Sequence, residues 1–218
     1  MSNILFNRLN KPRITKYAPT LVGREVPFRP RKNSAITGNY IDILVKNWAG
    51  VSTGATSGVD LIIFGVEVKS KDILGDSEWT IGSMTFNDII GTPYRDSALY
   101  QKLQALFLVE YNNNFCRITK ANLFYMDNDE TQTILEAGYE AARHEMISHQ
   151  LRLKNQLITI GSQPLHNYKQ YARIPGTPGF GFERCKSTNS FNFRITSVAM
   201  KNLVKLAVAN NNSLFTFL

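Results

Sequence analysis

The chain has 218 residues, of which 43% are hydrophobic and 19% are charged, so it can bury one sizeable core and is too weakly charged to be disordered. Its two cysteines exclude a disulfide framework and a four-cysteine zinc site, and no apolar run approaches the roughly 18 residues of a membrane span. We therefore expect no membrane partner and a cytoplasmic location, in a bacterium or in a phage- or virus-infected cell.

The net charge of +8 is unevenly distributed along the chain. Residues 1–32 carry a charge of +7 and residues 150–218 carry +8, whereas residues 33–149 carry −7. Basic flanks attract polyanions, but carboxylates repel phosphate unless a cation lies between them. The distribution therefore favours a nucleic-acid partner and a metal site in the acidic middle.

The N-terminal part predicts an arm followed by a helix. Four prolines over residues 8–33 favour extended backbone, with a short strand at Leu21–Val22. Residues 36–49 predict a helix. The apolar positions that we expect at helical spacing there are Ile36, Tyr40, Ile43, Leu44 and Trp48.

The segment 61–70 predicts two short strands joined by a sharp bend at Gly65, because an apolar run, a glycine and an alternating run follow one another. A further strand is expected over 79–86. A helix over 96–106 should turn Leu99, Leu103 and Leu106 inward.

The C-terminal part predicts alternating strands and helices. We expect strands over 107–111, 121–126, 157–161 and 191–195, and helices over 130–154 and 197–209. Residues 176–184 are glycine-rich and are interpreted as a flexible loop over DNA.

The predicted fold class is α/β, with a central mixed β-sheet flanked by helices. The expected organisation is a basic N-terminal arm over 1–32 and a single domain over 33–218. A C-terminal lobe over about 156–218 is expected to contact DNA.

Three residues around the Gly65 bend carry the candidate chemistry. Glu67 and Lys69 lie on one face of the second strand, about 7 Å apart, because strand side chains alternate. Asp60 starts the preceding strand and reaches the same place if the chain bends at Gly65. Two converging carboxylates suit Mg²⁺, which prefers oxygen ligands and activates water for attack on a phosphate. Lys69 would then orient or deprotonate that water, or stabilise the developing negative charge.

The alternative interpretation of this pattern is a salt-bridged surface strand, because a Glu-x-Lys sequence is common in strands. The neighbouring residues argue against it, since LIIF and the valines on both sides of Glu67 are strongly apolar. The basic flanks also predict the phosphate on which such a metal site would act.

The sequence VDLIIFGVEVKS resembles the D-x6-E-x-K motif of the PD-(D/E)xK nucleases, and within them the MutH-like branch that includes type II restriction endonucleases. GNYIDILVKNWAG and VSTGATSG precede it in the order of that branch. The resemblance implies a restriction-endonuclease-like core, a Mg²⁺ cofactor held by Asp60 and Glu67, a catalytic Lys69 and double-stranded DNA as partner.

The resemblance extends to other parts of the chain. DSALYQKLQALFLVEY resembles the stretch in which the family places a lysine near its active site, and Lys102 falls on that lysine. A family glutamate on the first helix falls on Lys46, and Asp42, one turn earlier, is the candidate substitute. In the MutH branch an Arg-Pro-Lys loop reads bases, and its match here begins at Gln163, which favours adenine rather than guanine.

The candidate DNA contacts are basic or amide side chains of the first helix and of the C-terminal part. They are Lys46, Gln163, His166, Arg173, Arg184, Lys186, Asn192 and Arg194.

The leading functional hypothesis is a magnesium-dependent, sequence-specific DNA endonuclease of the type II restriction class. Its catalytic residues would be Asp60, Glu67 and Lys69, supported by Lys102 and Asp42. The alternatives are a MutH-like nickase of mismatch repair, a junction-type or virus-encoded nuclease, and a non-catalytic DNA-binding protein. A homodimer is left open.

Overall fold

The computed structural model describes residues 16–28, 35–49, 61, 65–160, 179–184 and 190–213. Its helices are α1 (Ala35–Ala49), α2 (Phe86–Gly91), α3 (Ala98–Lys102), α4 (Asp129–Ile160) and α5 (Ser197–Ser213), with a 3-10 turn at Tyr94–Asp96. Its strands are β1 (Glu67–Asp72), β2 (Glu78–Thr85), β3 (Ala105–Asn112), β4 (Arg117–Tyr125), β5 (Phe180–Arg184) and β6 (Ser190–Thr196).

Within these residues the strands form two sheets. The first is mixed and has the order β1-β3-β4, in which β1 runs parallel to β3 and β4 runs antiparallel to it. The second is antiparallel and has the order β2-β6-β5. The prediction of an α/β fold with a mixed sheet and flanking helices is thereby confirmed.

The two faces of the mixed sheet pack into different hydrophobic clusters. On one face, Val68 and Phe107 pack with Ile41 and Val45 of α1. On the other face, Leu106 and Leu108 pack with the second sheet and with α4 and α5. Because β1 alternates, Glu67, Lys69 and Lys71 lie on this second face, opposite α1.

The bend predicted at Gly65 is confirmed. Gly65 has a φ of 62°, in the left-handed region that glycine adopts without a steric cost. Leu61 and Val66 form an antiparallel bridge, with N–H···O distances of 2.8 and 3.3 Å. The chain therefore doubles back just before Glu67, which opens β1.

Two predictions in the C-terminal part are wrong. The strand expected over 157–161 is helical over 157–160, because α4 continues through it to Ile160. Extending a formed helix adds one hydrogen bond per residue without a new nucleation step, and this outweighs the strand propensity of LITI. The flexible loop expected over 176–184 contains β5, in which Phe180 and Phe182 are buried on one face.

The N-terminal predictions also differ from the structure. Residues 16–21 are helical, not extended, and Leu21 is fully buried in the cluster with α1. In α1 the described apolar side chains that are buried are Ile41 and Val45, whereas Ile36, Tyr40 and Ile43 are exposed. Gly38 explains this choice of face, because a Cβ there would lie only 3.4 Å from Ser70 Oγ and glycine lets α1 approach β1 closely.

The helix expected over 96–106 is shorter than predicted. It ends at Lys102, and Leu106 belongs to β3. The inward direction of Leu99, Leu103 and Leu106 is confirmed, since all three are buried. The early end matters for the site, because it places Lys102 in the last turn of α3.

Candidate functional site

Glu67 is a fully buried carboxylate in contact with two lysines. Lys69 Nζ lies 2.6 Å from Glu67 Oε1, and Lys102 Nζ lies 2.8 Å from the same oxygen. The exposed fraction of the Glu67 side chain is 0%, against 20% for Lys69 and 19% for Lys102. The carboxylate is thus shielded from solvent, whereas the two lysine side chains in contact with it are partly exposed. We call these three residues the Glu67 cluster.

Lys69 reaches Glu67 from two positions along the same strand, as the alternation of β1 predicts. Lys102 comes from α3, which Ser97 caps by accepting a hydrogen bond from the Tyr100 N–H over 3.3 Å. The sequence separation of 35 residues between Lys102 and Glu67 is bridged by the parallel pairing of β1 with β3, which follows α3 directly.

Gly82 of β2 makes room for Lys102. A Cβ built on Gly82 would lie 3.4 Å from Lys102 Cδ and 3.1 Å from Leu99 Cδ2. The strand register shifts at this point, between Thr80 and Gly82. The lysine stem therefore packs against bare backbone. Local pattern does not predict this role of Gly82, because the two residues belong to different predicted elements.

A network from α4 fixes the segment that carries Lys102. Gln132 donates hydrogen bonds to the carbonyls of Leu103 over 3.2 Å and Met126 over 2.6 Å, and it accepts one from the Tyr94 hydroxyl over 3.1 Å. Glu140 accepts a hydrogen bond from the Tyr94 N–H over 2.7 Å. Both ends of the 94–103 segment are thus tied to one long helix, which limits the movement of Lys102.

The charge of the Glu67 cluster is +1, from one carboxylate and two ammonium groups. Burial of an isolated carboxylate is costly, and the two lysines offset that cost. Glu67 Oε1 is shared by both lysines, although an ionised carboxylate has about four acceptor sites on its two oxygens. A cluster of this charge is chemically compatible with an approaching phosphate.

The second carboxylate of the predicted metal site, Asp60, lies outside the described residues. Over the part of the chain that is described, no group of three or more His, Cys, Asp or Glu side chains could hold a metal ion. Glu67 is the metal-ligand candidate that the structure places. It stands directly after the Leu61–Val66 bridge.

Asp42 and Lys46 form an ion pair within α1, with Lys46 Nζ 2.7 Å from Asp42 Oδ2. Lys46 is buried, and Asp42 Oδ1 is buried without a hydrogen-bond partner among the described residues. Their helix packs against the Val68 and Ser70 face of β1, whereas the Glu67 cluster lies on the other face. The supporting role of Asp42 and the DNA contact of Lys46 stay predictions.

The C-terminal DNA-contact candidates are placed only in part. Arg194 of β6 forms an ion pair with Glu183 of β5, and its Nε is buried without a partner in the described part of the chain. Asn192 lies two positions earlier on the same face of β6. The backbone of Arg184 belongs to β5. Gln163, His166, Arg173 and Lys186 lie outside the described residues.

No helix in the described ranges is long and apolar enough to cross a membrane. A scan against protein-family models found no match for the chain. A search of curated proteins likewise found no relative.

Proposed function

We propose that the chain is a magnesium-dependent DNA endonuclease and that the Glu67 cluster is its catalytic centre. The observation that carries the proposal is the fully buried Glu67 carboxylate, which holds the ammonium groups of Lys69 and Lys102 at 2.6 and 2.8 Å. An ordinary surface ion pair has no need of burial, and it is worth little in stability. Here the two ammonium groups converge on one buried acid at the start of β1.

The motif supports Asp60 as the second acid of the site. Leu61 and Val66 are antiparallel partners, and in such a ladder the residue before one partner faces the residue after the other. Glu67 follows this bridge directly, and the D-x6-E-x-K spacing of the motif makes Asp60 its partner acid in the proposal. Mg²⁺ would be held by these two carboxylates and would offset phosphate charge and activate a water.

The lysines have separate roles in the proposed reaction. Lys69, on the strand, would orient the attacking water and exchange a proton with it. Lys102, fixed through the α4 network, would donate a hydrogen bond to a phosphate oxygen as negative charge develops there.

The charge distribution supports DNA as the substrate. The strongly basic flanks over 1–32 and 150–218 would neutralise phosphates on both sides of the acidic middle. The type II restriction class is the leading form of the proposal, since the motif resemblance is to that branch. Sequence specificity would then come from the C-terminal candidates, with Asn192 and Arg194 on one face of β6.

The direct test is incubation of purified protein with unmethylated plasmid and phage DNA in Mg²⁺, Mn²⁺ or EDTA. Discrete fragments that require the divalent cation are the expected result, and sequencing of their ends gives the recognition site. A smear of fragments would indicate non-specific cleavage in place of site-specific cleavage. If the protein binds DNA but leaves it intact in both cations, the nuclease proposal is overturned and a DNA-binding protein is favoured.

A further inference from the structure

A second candidate site lies on the same face of the mixed sheet as the Glu67 cluster. It is a cavity of about 310 Å³ between strands β1, β3 and β4 and helix α5. Lys71 lines it and lies two positions beyond Lys69 on β1, about 7 Å along the strand. The cavity is therefore adjacent to the Glu67 cluster but has its own set of side chains.

The wall of this cavity is strongly cationic. Lys71, Lys120, Lys201 and Lys205 line it, and Glu110 is the acidic residue among the lining side chains. Lys201 and Lys205 are one turn apart on α5, an arrangement of like charges that destabilises a helix. In the described part of the chain neither of them forms an ion pair, so the structure leaves the repulsion uncompensated.

Lys71 is the most informative of the four lysines because it is buried, with 7% of its surface exposed. Its Nζ donates a hydrogen bond to Ser197 Oγ over 2.6 Å and lies 5.2 Å from the centre of the Trp79 ring. Among the described residues, no carboxylate oxygen lies within 4.0 Å of it. Glu110 is its neighbour across the sheet, but its Oε2 lies 3.8 Å from Lys120 Nζ.

Buried charges in proteins are normally paired, because removal of an ion from water is costly. Lys71 has a hydroxyl and an aromatic ring where an anion would be expected. With three further lysines at the same cavity and one acid to offset them, the wall carries a charge of +3. An anionic ligand would supply the missing counter-charge.

The rest of the lining is apolar and argues for more than a simple anion. Trp79 and Leu108 are buried in the floor, and Phe124, Met200 and Val204 complete the wall. The volume is at the lower end of the roughly 300–1,000 Å³ of small-molecule sites, which suits one small ligand. Asn122 adds an amide that can both donate and accept hydrogen bonds, as the edge of a nucleobase requires.

We propose that this cavity binds a single nucleotide unit, with the base against the apolar wall and the phosphate on Lys71 and the α5 lysines. A phosphate monoester carries about two negative charges at neutral pH, which matches a wall of this charge. The unit is either a free nucleoside monophosphate or the 5′-terminal nucleotide of a DNA strand. The assignment needs no cleavage activity and stands apart from the proposal for the Glu67 cluster.

The test is calorimetric titration of the full chain, in EDTA, with the four deoxynucleoside monophosphates, a 5′-phosphorylated tetranucleotide, inorganic phosphate and an uncharged nucleoside. The variants are Lys71→Met and the double variant Lys201→Met/Lys205→Met. The side chains of Lys201 and Lys205 are exposed, so the double variant does not put folding at risk. Arg117→Met is the matched control, since its side chain is 59% exposed and does not line the cavity.

We expect the mononucleotide or the tetranucleotide to bind at least about tenfold more tightly than phosphate or nucleoside alone, and the tighter of the two identifies the source. Both lysine variants should weaken that binding at least about tenfold, and Arg117→Met should leave it unchanged. Equal binding of phosphate and nucleotide, no binding of either nucleotide form, or wild-type affinity in the double lysine variant would each overturn the proposal.

Discussion

Lys102 Nζ lies 2.8 Å from Glu67 Oε1, although the two residues are 35 positions apart and belong to different elements. The contact depends on the end of α3 at Lys102, which directs the side chain towards the start of β1. It joins the strand that carries the D-x6-E-x-K pattern to a helix that lies outside that pattern. The site therefore has a second lysine held by tertiary structure alone.

The first prediction concerns Lys102. Lys102→Met should lower the rate of DNA cleavage about 100-fold, because removal of one charge-stabilising donor at a phosphoryl centre costs about that much. Lys69→Met should have an effect at least as large, about 10²–10⁴-fold, if Lys69 exchanges a proton with the water. Single-turnover cleavage rates measure both changes.

The control for these variants is Arg117→Met, which removes an exposed cation far along β4 from the cluster. Its rate should stay within about twofold of wild type, because exposed ion pairs contribute little. Cleavage at the wild-type rate by Lys102→Met would show that the lysine merely balances the charge of Glu67.

The second prediction concerns the space that Gly82 leaves. In Gly82→Ala the new Cβ would be 3.1 Å from Leu99 Cδ2, so the Leu99 side chain must shift, and it would be in van der Waals contact with Lys102 Cδ at 3.4 Å. We expect a loss of about 1–3 kcal/mol in the free energy of unfolding, as for other overpacked sites, and slower cleavage. Urea unfolding and single-turnover kinetics measure the two effects.

Gly91→Ala is the matched control for Gly82→Ala. A Cβ on Gly91 meets no atom within 4 Å, and Gly91 is the last residue of α2. Its stability and cleavage rate should be close to wild type. If Gly82→Ala is as stable and as active as this control, Gly82 does not determine the position of Lys102.

Local pattern in the sequence predicted the local features of the site, and the resemblance named Lys102, but the other features that depend on distant contacts were not predicted. The bend at Gly65 and the shared face of Glu67 and Lys69 follow from one glycine and from strand alternation, and both were predicted. Gly138 shows why β5 was missed. A Cβ there would lie 2.6 Å from the Phe180 ring, so the glycine on α4 accommodates a strand more than forty residues later.

The burial of polar side chains was likewise not predictable from the local sequence pattern. Gln132 is buried on a helix that looks amphipathic in sequence, and its hydrogen bonds to Leu103 and Met126 arise only when α4 packs on that segment. Lys71 looks like an ordinary solvent-facing strand lysine in sequence. Its burial depends on α5, which covers it through Ser197.

The third prediction concerns the titration of the buried tyrosines in and beside the α4 network. Burial raises the pKa of Tyr139 to about 12, and burial raises that of Tyr94 well above its usual range. A raised folded-state pKa means that the stability contribution of the neutral phenol is complete below pH 10 and is lost as the pH rises through about 12. The α4 network, which fixes the segment that carries Lys102, should therefore weaken only in strong alkali.

Absorbance at the tyrosinate band, followed from pH 8 to 13, measures this titration. In the folded protein a fraction of the tyrosines should remain neutral at pH 11, whereas in denaturant all of them should titrate together near 10. Identical curves for folded and denatured protein would contradict the burial of Tyr94 and Tyr139.

Glu67 is proposed as a catalytic carboxylate and not only as an acid that balances two lysines. Its most direct test is the single-turnover cleavage rate, in Mg²⁺, of wild type, Glu67→Gln and the control Glu25→Gln, whose side chain is 83% exposed. Urea unfolding and DNA binding are measured on the same preparations to confirm that each variant is folded. Glu67→Gln is expected to lose about 1–3 kcal/mol of stability, below the 3–5 kcal/mol typical of broken buried pairs because both lysines are partly exposed.

Glu67→Gln should bind DNA as wild type does but cleave it at least about 100-fold more slowly, while Glu25→Gln should cleave at the wild-type rate. Wild-type cleavage by folded Glu67→Gln would contradict the catalytic role of this residue.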